Sequence, residues 1–353
     1  MQFEFTEEQR MIASMLEEYS RAEGTSENVR AAMASEQGYL SGQWQSLSSE
    51  LGLCGLMVPE SAGGQGLSMI EMALVFEQLG KTLLPSPLLS TAVLSVAVLK
   101  QLDHQPALAR IAAGGVTCAV CRVSEGSAEF VLDAANADLL LVEDAATRSI
   151  SLLEAETAGA FDGLTVAPVD MIDQTRRLAH VLVDDADTLA RSKITEGDQA
   201  VAAIDFGFNL ARIALAAEAV GAAQECLART VEYARERVQF GRAIGSFQAV
   251  KHQLADMMVA NEAAISAVYF AACAVSEDPA QAATMAALAK VQASEALSFS
   301  AARMIQLHGG IGVTWEHDAH LYFKRARSTS TLFGLNADLD ELIAHEIGLE
   351  ACV

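Results

Sequence analysis

A chain of 353 residues with 52% apolar side chains and only six prolines holds enough material for two or three core-bearing units and favours helix. Its formal charge of −23 argues against nucleic acid as a partner, since such a binder needs a basic stripe to displace counterions. The acidic start, Met1 to Glu8, lacks the basic and apolar regions of a signal peptide, and the apolar runs are broken by charge or glycine, so no membrane span and a cytoplasmic location are expected.

In chain order, Thr6 to about Leu102 reads as helix, interrupted by the glycine-rich loop Val58 to Gly66. Ser68 followed by Glu71 fits a capping box for the next helix, and Pro85 and Pro87 end it. From about Ala113 to Leu189 the texture changes to short apolar runs separated by Gly, Asp and Ser. The runs Val116–Val123, Leu139–Val142, Ile150–Leu153 and His180–Val183 read as strands at roughly hairpin spacing. Asp184 to Asp187 reads as a turn. Beyond about Ala200, alanine-rich helices return over Ala202–Arg237, Phe247–Val275, Pro279–His308 and Leu339–Ile347, and small residues let such helices pack closely as a four-helix bundle. The fold expected is α+β and mainly α: an N-terminal helical domain (1–110), a small middle β-domain (111–196) and a C-terminal four-helix bundle (197–353).

Six cysteines stand at 54, 118, 121, 226, 273 and 352. Cys118 and Cys121 form a C-x-x-C, but in a strand an odd spacing sends the two thiols to opposite faces, and no second pair completes a zinc site. Buried free thiols are the expectation. His317 and His320 stand three apart and approach one another if that stretch is helical, yet no metal site is expected there, and Glu316 and Asp318 read as solvated or interface charges.

The stretch Arg235 to Met257 reads as a loop entering a helix. Phe247, Val250, Leu254, Met257 and Met258 form one apolar stripe, and Gln248, Lys251 and His252 lie off it. Arg237 beside a helix start suits an anion, and Gly241 and Gly245 free the backbone to bend around a ligand. On physics alone a capped surface helix with ordinary charges is the favoured reading of the same stretch.

The identity of the string says more. Arg237 to Met257 resembles the flavin-contacting segment of the acyl-CoA dehydrogenase family, and Gln306 to His320 resembles a second block of that family. Thr6 to Gln9, Gly55 to Ser68 and Phe76 to Pro85 extend the resemblance over nearly the whole chain. It implies FAD as cofactor, lying between a subunit's middle and C-terminal domains with its adenine end clasped by the neighbouring subunit. The positions that match the clasp are Arg237, Gln239, Phe240, Gln248, Gln306, Gly309 and Gly310, and Arg212 matches a position near the substrate. The implied chemistry is α,β-dehydrogenation of an acyl-CoA, in which a carboxylate removes the α proton and the flavin takes a hydride from the β carbon.

The departures from the family pattern are as informative. The usual position of the catalytic glutamate falls on Phe333, between Ala326-Arg327 and Gly334, and the alternative position falls on Ala211, before Arg212. Neither side chain accepts a proton. Glu218, seven residues beyond Ala211, should face elsewhere on the helix. Leu335 and Ala337 replace residues that are often polar, and the middle domain lacks the Thr-Glu-Pro and Trp-Ile-Thr runs that cradle the isoalloxazine.

What reaches a neighbour's flavin is kept and what serves the chain's own is lost. That division resembles the subunit without the glutamate in two-subunit bacterial acyl-CoA dehydrogenases of the steroid side-chain type. It implies a homologous catalytic partner, in an α2β2 heterotetramer, and an electron-transferring flavoprotein as acceptor. Two other readings stay open: a flavin-dependent monooxygenase of the same fold, and a non-catalytic homomeric protein for acyl-CoA binding or scaffolding.

Overall fold

Thr6 sets the first boundary. Its hydroxyl accepts from the Gln9 amide while the Gln9 side chain accepts from the Thr6 amide, a capping box that opens α1 (Glu7–Glu23). The structure, a computed structural model, describes residues 4–278 and 281–349. Cys352 and the expected helix start at Pro279 lie outside the described residues. After α1 come α2 (Ser26–Ala34), α3 (Ser41–Gln45), α4 (Met69–Thr82), α5 (Val96–Gln101) and α6 (Gln105–Ala112). The strand region holds β1 (Cys118–Val123), β2 (Ser127–Leu132), β3 (Leu139–Asp144), β4 (Ser149–Glu154), β5 (Leu164–Val169), β6 (Leu178–Val183), α7 (Ala186–Arg191) and β7 (Lys193–Glu196). The chain ends with α8 (Asp198–Glu236), the two-residue strands β8 (Val238–Gln239) and β9 (Arg242–Ala243), α9 (Gln248–Glu277), α10 (Ala282–His308), α11 (Ala319–Thr331) and α12 (Asn336–Glu346).

These elements gather into two compact units, one of Met1–Glu27, Met69–Leu84 and Arg212–Val353, the other of Asn28–Ser68 and Pro85–Ala211. In the first, α8, α9 and α10 correspond to three of the four expected bundle helices, the expected helix at Leu339–Ile347 is α12, and α11 was not expected. Asn261 on α9 donates to the Ala223 carbonyl of α8 and accepts from Ser300 of α10, each at 3.0 Å, so one buried amide ties three helices. Helices α4 and α8 touch backbone to backbone: a Cβ on Gly221 would lie 1.9 Å from the Glu77 carbonyl oxygen, and one on Gly80 would lie 2.1 Å from that of Glu218. Glu218 forms a buried ion pair with Arg325 of α11.

In the second unit two sheets, ordered β1-β3-β4-β7 and β2-β6-β5, enclose an apolar core. Ala119, Cys121, Leu140, Val142 and Leu153 of the first sheet meet Ala128, Val131, Ala179 and Val181 of the second. The hairpin expectation is corrected here: β1 pairs with β3 in parallel, because β2 crosses to the other sheet before β3 returns. Cys121 joins the inter-sheet core, and Cys118 is on the opposite face of β1. Burial pushes both thiols up to about 12, so they stay protonated. Asp184 to Asp187 is not a simple turn, since Asp185 caps the short helix α7 by accepting from the Asp187 amide.

One premise of the membrane expectation, that charge or glycine breaks every apolar run, needs correction. By length and composition α8 and α9 each contain a window apolar enough to cross a bilayer, with mean hydropathy 1.5. Alanine supplies that hydropathy in residues small enough for bundle packing. Of the α8 window 67% is buried, but of the α9 window only 39%, and Met258 and Val259 stand exposed on it.

Candidate functional site

At the end of α8 the last helical turn closes through the Arg237 amide, which donates to Tyr233 O at 2.9 Å. The chain then makes a tight hairpin rather than the expected loop, with Val238 opposite Ala243 and Gln239 opposite Arg242. Phe240 (φ 54°) and Gly241 (φ 77°) form its turn. Two successive positive φ values match the twist of the flanking strands. Phe240 is 93% exposed at the tip. The Ile244 amide returns to the Arg237 carbonyl at 2.8 Å, and the Arg242 guanidinium lies 4.0 Å over the Phe247 ring at the entry to α9. Gln248, Lys251 and His252 are exposed as expected, while Met258 leaves the apolar stripe and is exposed as well.

The far end of α10 arrives at the same place. Tyr233 stacks on His308 at 4.3 Å between ring centroids, and His308 meets His317 at 4.6 Å. Burial lowers the pKa of both imidazoles, aided by the Arg229 charge, so the stack is neutral near pH 7. His317 precedes α11 instead of sharing its face with His320, whose ring stacks on Trp315. Asp318 is no solvated charge, since it accepts from Arg229 and Ser26. Beyond His308, Gly309 (φ 64°) and Gly310 have no atom within 4 Å of where a Cβ would sit.

Arg237, Gln239, Phe240, Gln248, Gln306, Gly309 and Gly310 therefore all lie exposed at one end of the bundle. Val238, Ile311, Val313 and Trp315, all exposed, lie in the same segments. Guanidinium and amide donors and uncovered apolar side chains thus occur together in these segments.

Arg212 lies elsewhere, roughly 36 Å back along α8 from Glu236 at 1.5 Å per residue. Its Nε donates to the Phe333 carbonyl at 2.9 Å. Ala211 is fully buried, and Glu218 faces Arg325. The structure thus joins Arg212 to Phe333 and keeps both apart from the hairpin set.

Reading the sequence missed Lys290, a fully buried lysine on α10 that donates to Ser330 O, Gly334 O and Asn336 Oδ1. The available signal was a single charge inside the alanine run Ala286 to Val291. A polar cavity of about 620 Å³ also opens in the helical unit, lined by Ser20, Gln78, Lys81, Gln224, Arg229 and Asp318 among others, and none of the residues matched to the flavin clasp or to the substrate lines it.

The sequence matches Acyl-CoA dehydrogenase, N-terminal domain, over residues 6–104 and Acyl-CoA dehydrogenase, C-terminal domain, over residues 201–348. The chain belongs to the acyl-CoA dehydrogenase family. It is 38% identical over 323 residues, 92% of each chain, to Acyl-CoA dehydrogenase IpdE2 of Mycolicibacterium smegmatis. Its fold matches the ChsE4-ChsE5 complex from Mycobacterium tuberculosis (TM-score 0.88, 26% identity, 100% of both chains). It also matches a variant of the Tcur3481-Tcur3483 steroid ACAD (TM-score 0.84, 25% identity, 97% of this chain and 98% of that one).

The family is in general FAD-dependent. The exposed end of the bundle fits part of such a group: the Arg237 guanidinium, the amides of Gln239, Gln248 and Gln306, and two glycines whose backbone is open to close approach.

Proposed function

We propose that the chain is the subunit without the base in a two-subunit FAD-dependent acyl-CoA dehydrogenase that introduces an α,β double bond into an acyl-CoA thioester. Arg237, Gln239, Phe240, Gln248, Gln306, Gly309 and Gly310 complete the FAD site of a homologous, glutamate-bearing partner in an α2β2 assembly. The chemistry that FAD supplies when bound is acceptance of a hydride from the β carbon.

This chain's own residues bind and orient. Arg237 offers forked donors to pyrophosphate oxygens, the glutamine amides pair with the polar edges of the adenosine, and Gly309 and Gly310 admit the ligand to the backbone. Phe240 and its apolar neighbours exclude water from the join. The α proton goes to the partner, because Phe333 and Ala211 have no acceptor to offer. The observation that carries this reading is a set of guanidinium and amide donors turned outward on a chain with no proton acceptor at position 333.

The existence of the ChsE4-ChsE5 complex supports a two-chain assembly, and the Tcur3481-Tcur3483 steroid ACAD supports a steroid-derived acyl group as substrate. The uncovered α9 face is further surface for a partner, and an electron-transferring flavoprotein is the acceptor. The test is flavin absorbance and native mass of the chain, alone and co-expressed with a glutamate-bearing homologue. The expected result is a colourless lone chain and a yellow hetero-oligomer with one FAD for each pair of unlike chains. Stoichiometric FAD in the lone chain overturns the reading in favour of an oxygen-using flavoenzyme, and a colourless homomer in both preparations favours a scaffold.

A further inference from the structure

The link between α11 and α12 contains two successive residues at positive φ, Phe333 at 59° and Gly334 at 117°. An aromatic residue disfavours that region, and conformations of this kind persist only where the surroundings over-determine them. Here the surroundings are two cations. The Arg212 Nε takes the Phe333 carbonyl at 2.9 Å. The Lys290 ammonium has three protons and three acceptors, Ser330 O at 2.9 Å, Gly334 O at 2.6 Å and Asn336 Oδ1 at 2.7 Å. With no exposed surface and every proton assigned, Lys290 is neither nucleophile nor base. On either side of it along α10, Ala287 and Val291 pack with Leu339 of α12, so one helix face holds both the link and the helix that follows.

Apart from Asn336 Oδ1, the acceptors are backbone carbonyls, so the hold does not depend on which side chain occupies position 333. We propose that Lys290 is a positioning residue that, with Arg212, keeps the Ser330–Asn336 segment as a preformed seat presenting residue 333, whatever its side chain. The inference rests on the proposed function only in giving that position a meaning: the seat is intact while its occupant is inert.

The test uses the chain alone, so it stands whether or not the chain pairs with a homologue, which flavin content reads separately. Hydrogen exchange is followed at the Leu332 and Leu339 amides, which bond to Ser328 O and Leu335 O on either side of the link. Lys290→Met is expected to lower their protection at least tenfold, with the α9 amides unchanged, whereas Phe333→Glu leaves it within twofold. A pH profile separates positioning from simple packing. The groups facing Lys290 are Arg212 on α8 and Asp338 and Asp340 on α12, and burial with the Arg212 charge lowers its pKa to about 8. Opening rehydrates the amine and restores its ordinary basicity, so above about pH 8 opening must take up a proton; relief of the buried charge outweighs the loss of one of its three hydrogen bonds, and protection rises from pH 7 to 9 in the wild type and not in Lys290→Met. If Lys290→Met does not fold, Asn336→Ala decides, with a severalfold loss expected at both amides. Unchanged protection in Lys290→Met, or in Asn336→Ala where that variant decides, overturns the proposal, as does loosening by Phe333→Glu as large as that by Lys290→Met.

Discussion

The two ends of the Arg212–Glu236 stretch of α8 are built on opposite terms. Near Arg212 the polar groups are consumed internally: Glu218 by Arg325, the Phe333 carbonyl by Arg212, and the Lys290 ammonium by three oxygens. Near Glu236 the donors and the largest apolar side chains face out, with Phe240 at the extreme. One end is finished within the chain and the other is not. The contrast separates what this chain needs in order to fold from what it offers to something else.

Stability should follow the finished end. Glu218→Ala leaves Arg325 charged and buried without its carboxylate, which costs about 3–5 kcal/mol. Urea denaturation checks it, and a loss below about 1 kcal/mol means that water or another acceptor takes over the guanidinium. Lys290 gives a smaller, pH-dependent effect. Its folded pKa of about 8 lies below its ordinary 10.5, so its contribution is complete above 10.5 and is lost as pH falls through 8. The wild type should therefore gain roughly 1–3 kcal/mol relative to Lys290→Met between pH 7 and 10. Taking the difference between the two proteins removes the opposing titration of the buried thiols, whose raised pKa values destabilise the fold at high pH. The smallest change belongs to the unfinished end. Phe240→Ser should shift stability by less than about 0.5 kcal/mol yet abolish flavin retention by the co-expressed pair. A large loss of stability would instead make the hairpin part of the fold's own support.

The sequence and the structure agree where local pattern carries the information. Alanine-rich periodicity located α8, α9, α10 and α12 to within a few residues but missed α11, whose run Ala319 to Thr331 is largely polar, and four apolar runs located β1, β3, β4 and β6. β5 escaped because it is half exposed and contains Pro168, β7 because it is short and polar, and β2 because a register shift between Ala128 and Val131 breaks its alternation. The hairpin after α8 was illegible for a different reason: Phe240 holds a left-handed position that turn chemistry normally gives to Asn or Gly. The seven outward residues were found by resemblance rather than periodicity, since exposed donors leave no mark in a hydrophobic pattern. The Arg212–Phe333 bond spans 121 residues, and nothing in one dimension says that a lone lysine among alanines points inward. The parallel pairing of β1 and β3 is likewise a property of topology, invisible at the level of single runs.

The hairpin carries one more consequence. Arg237 and Arg242 flank a four-residue projection and both are exposed, so a bare chain offers trypsin an accessible nick in an otherwise helical stretch. Cleavage there works as a clock for coverage: quick when the end of the bundle stands open, and slow when something sits over it, with or without colour.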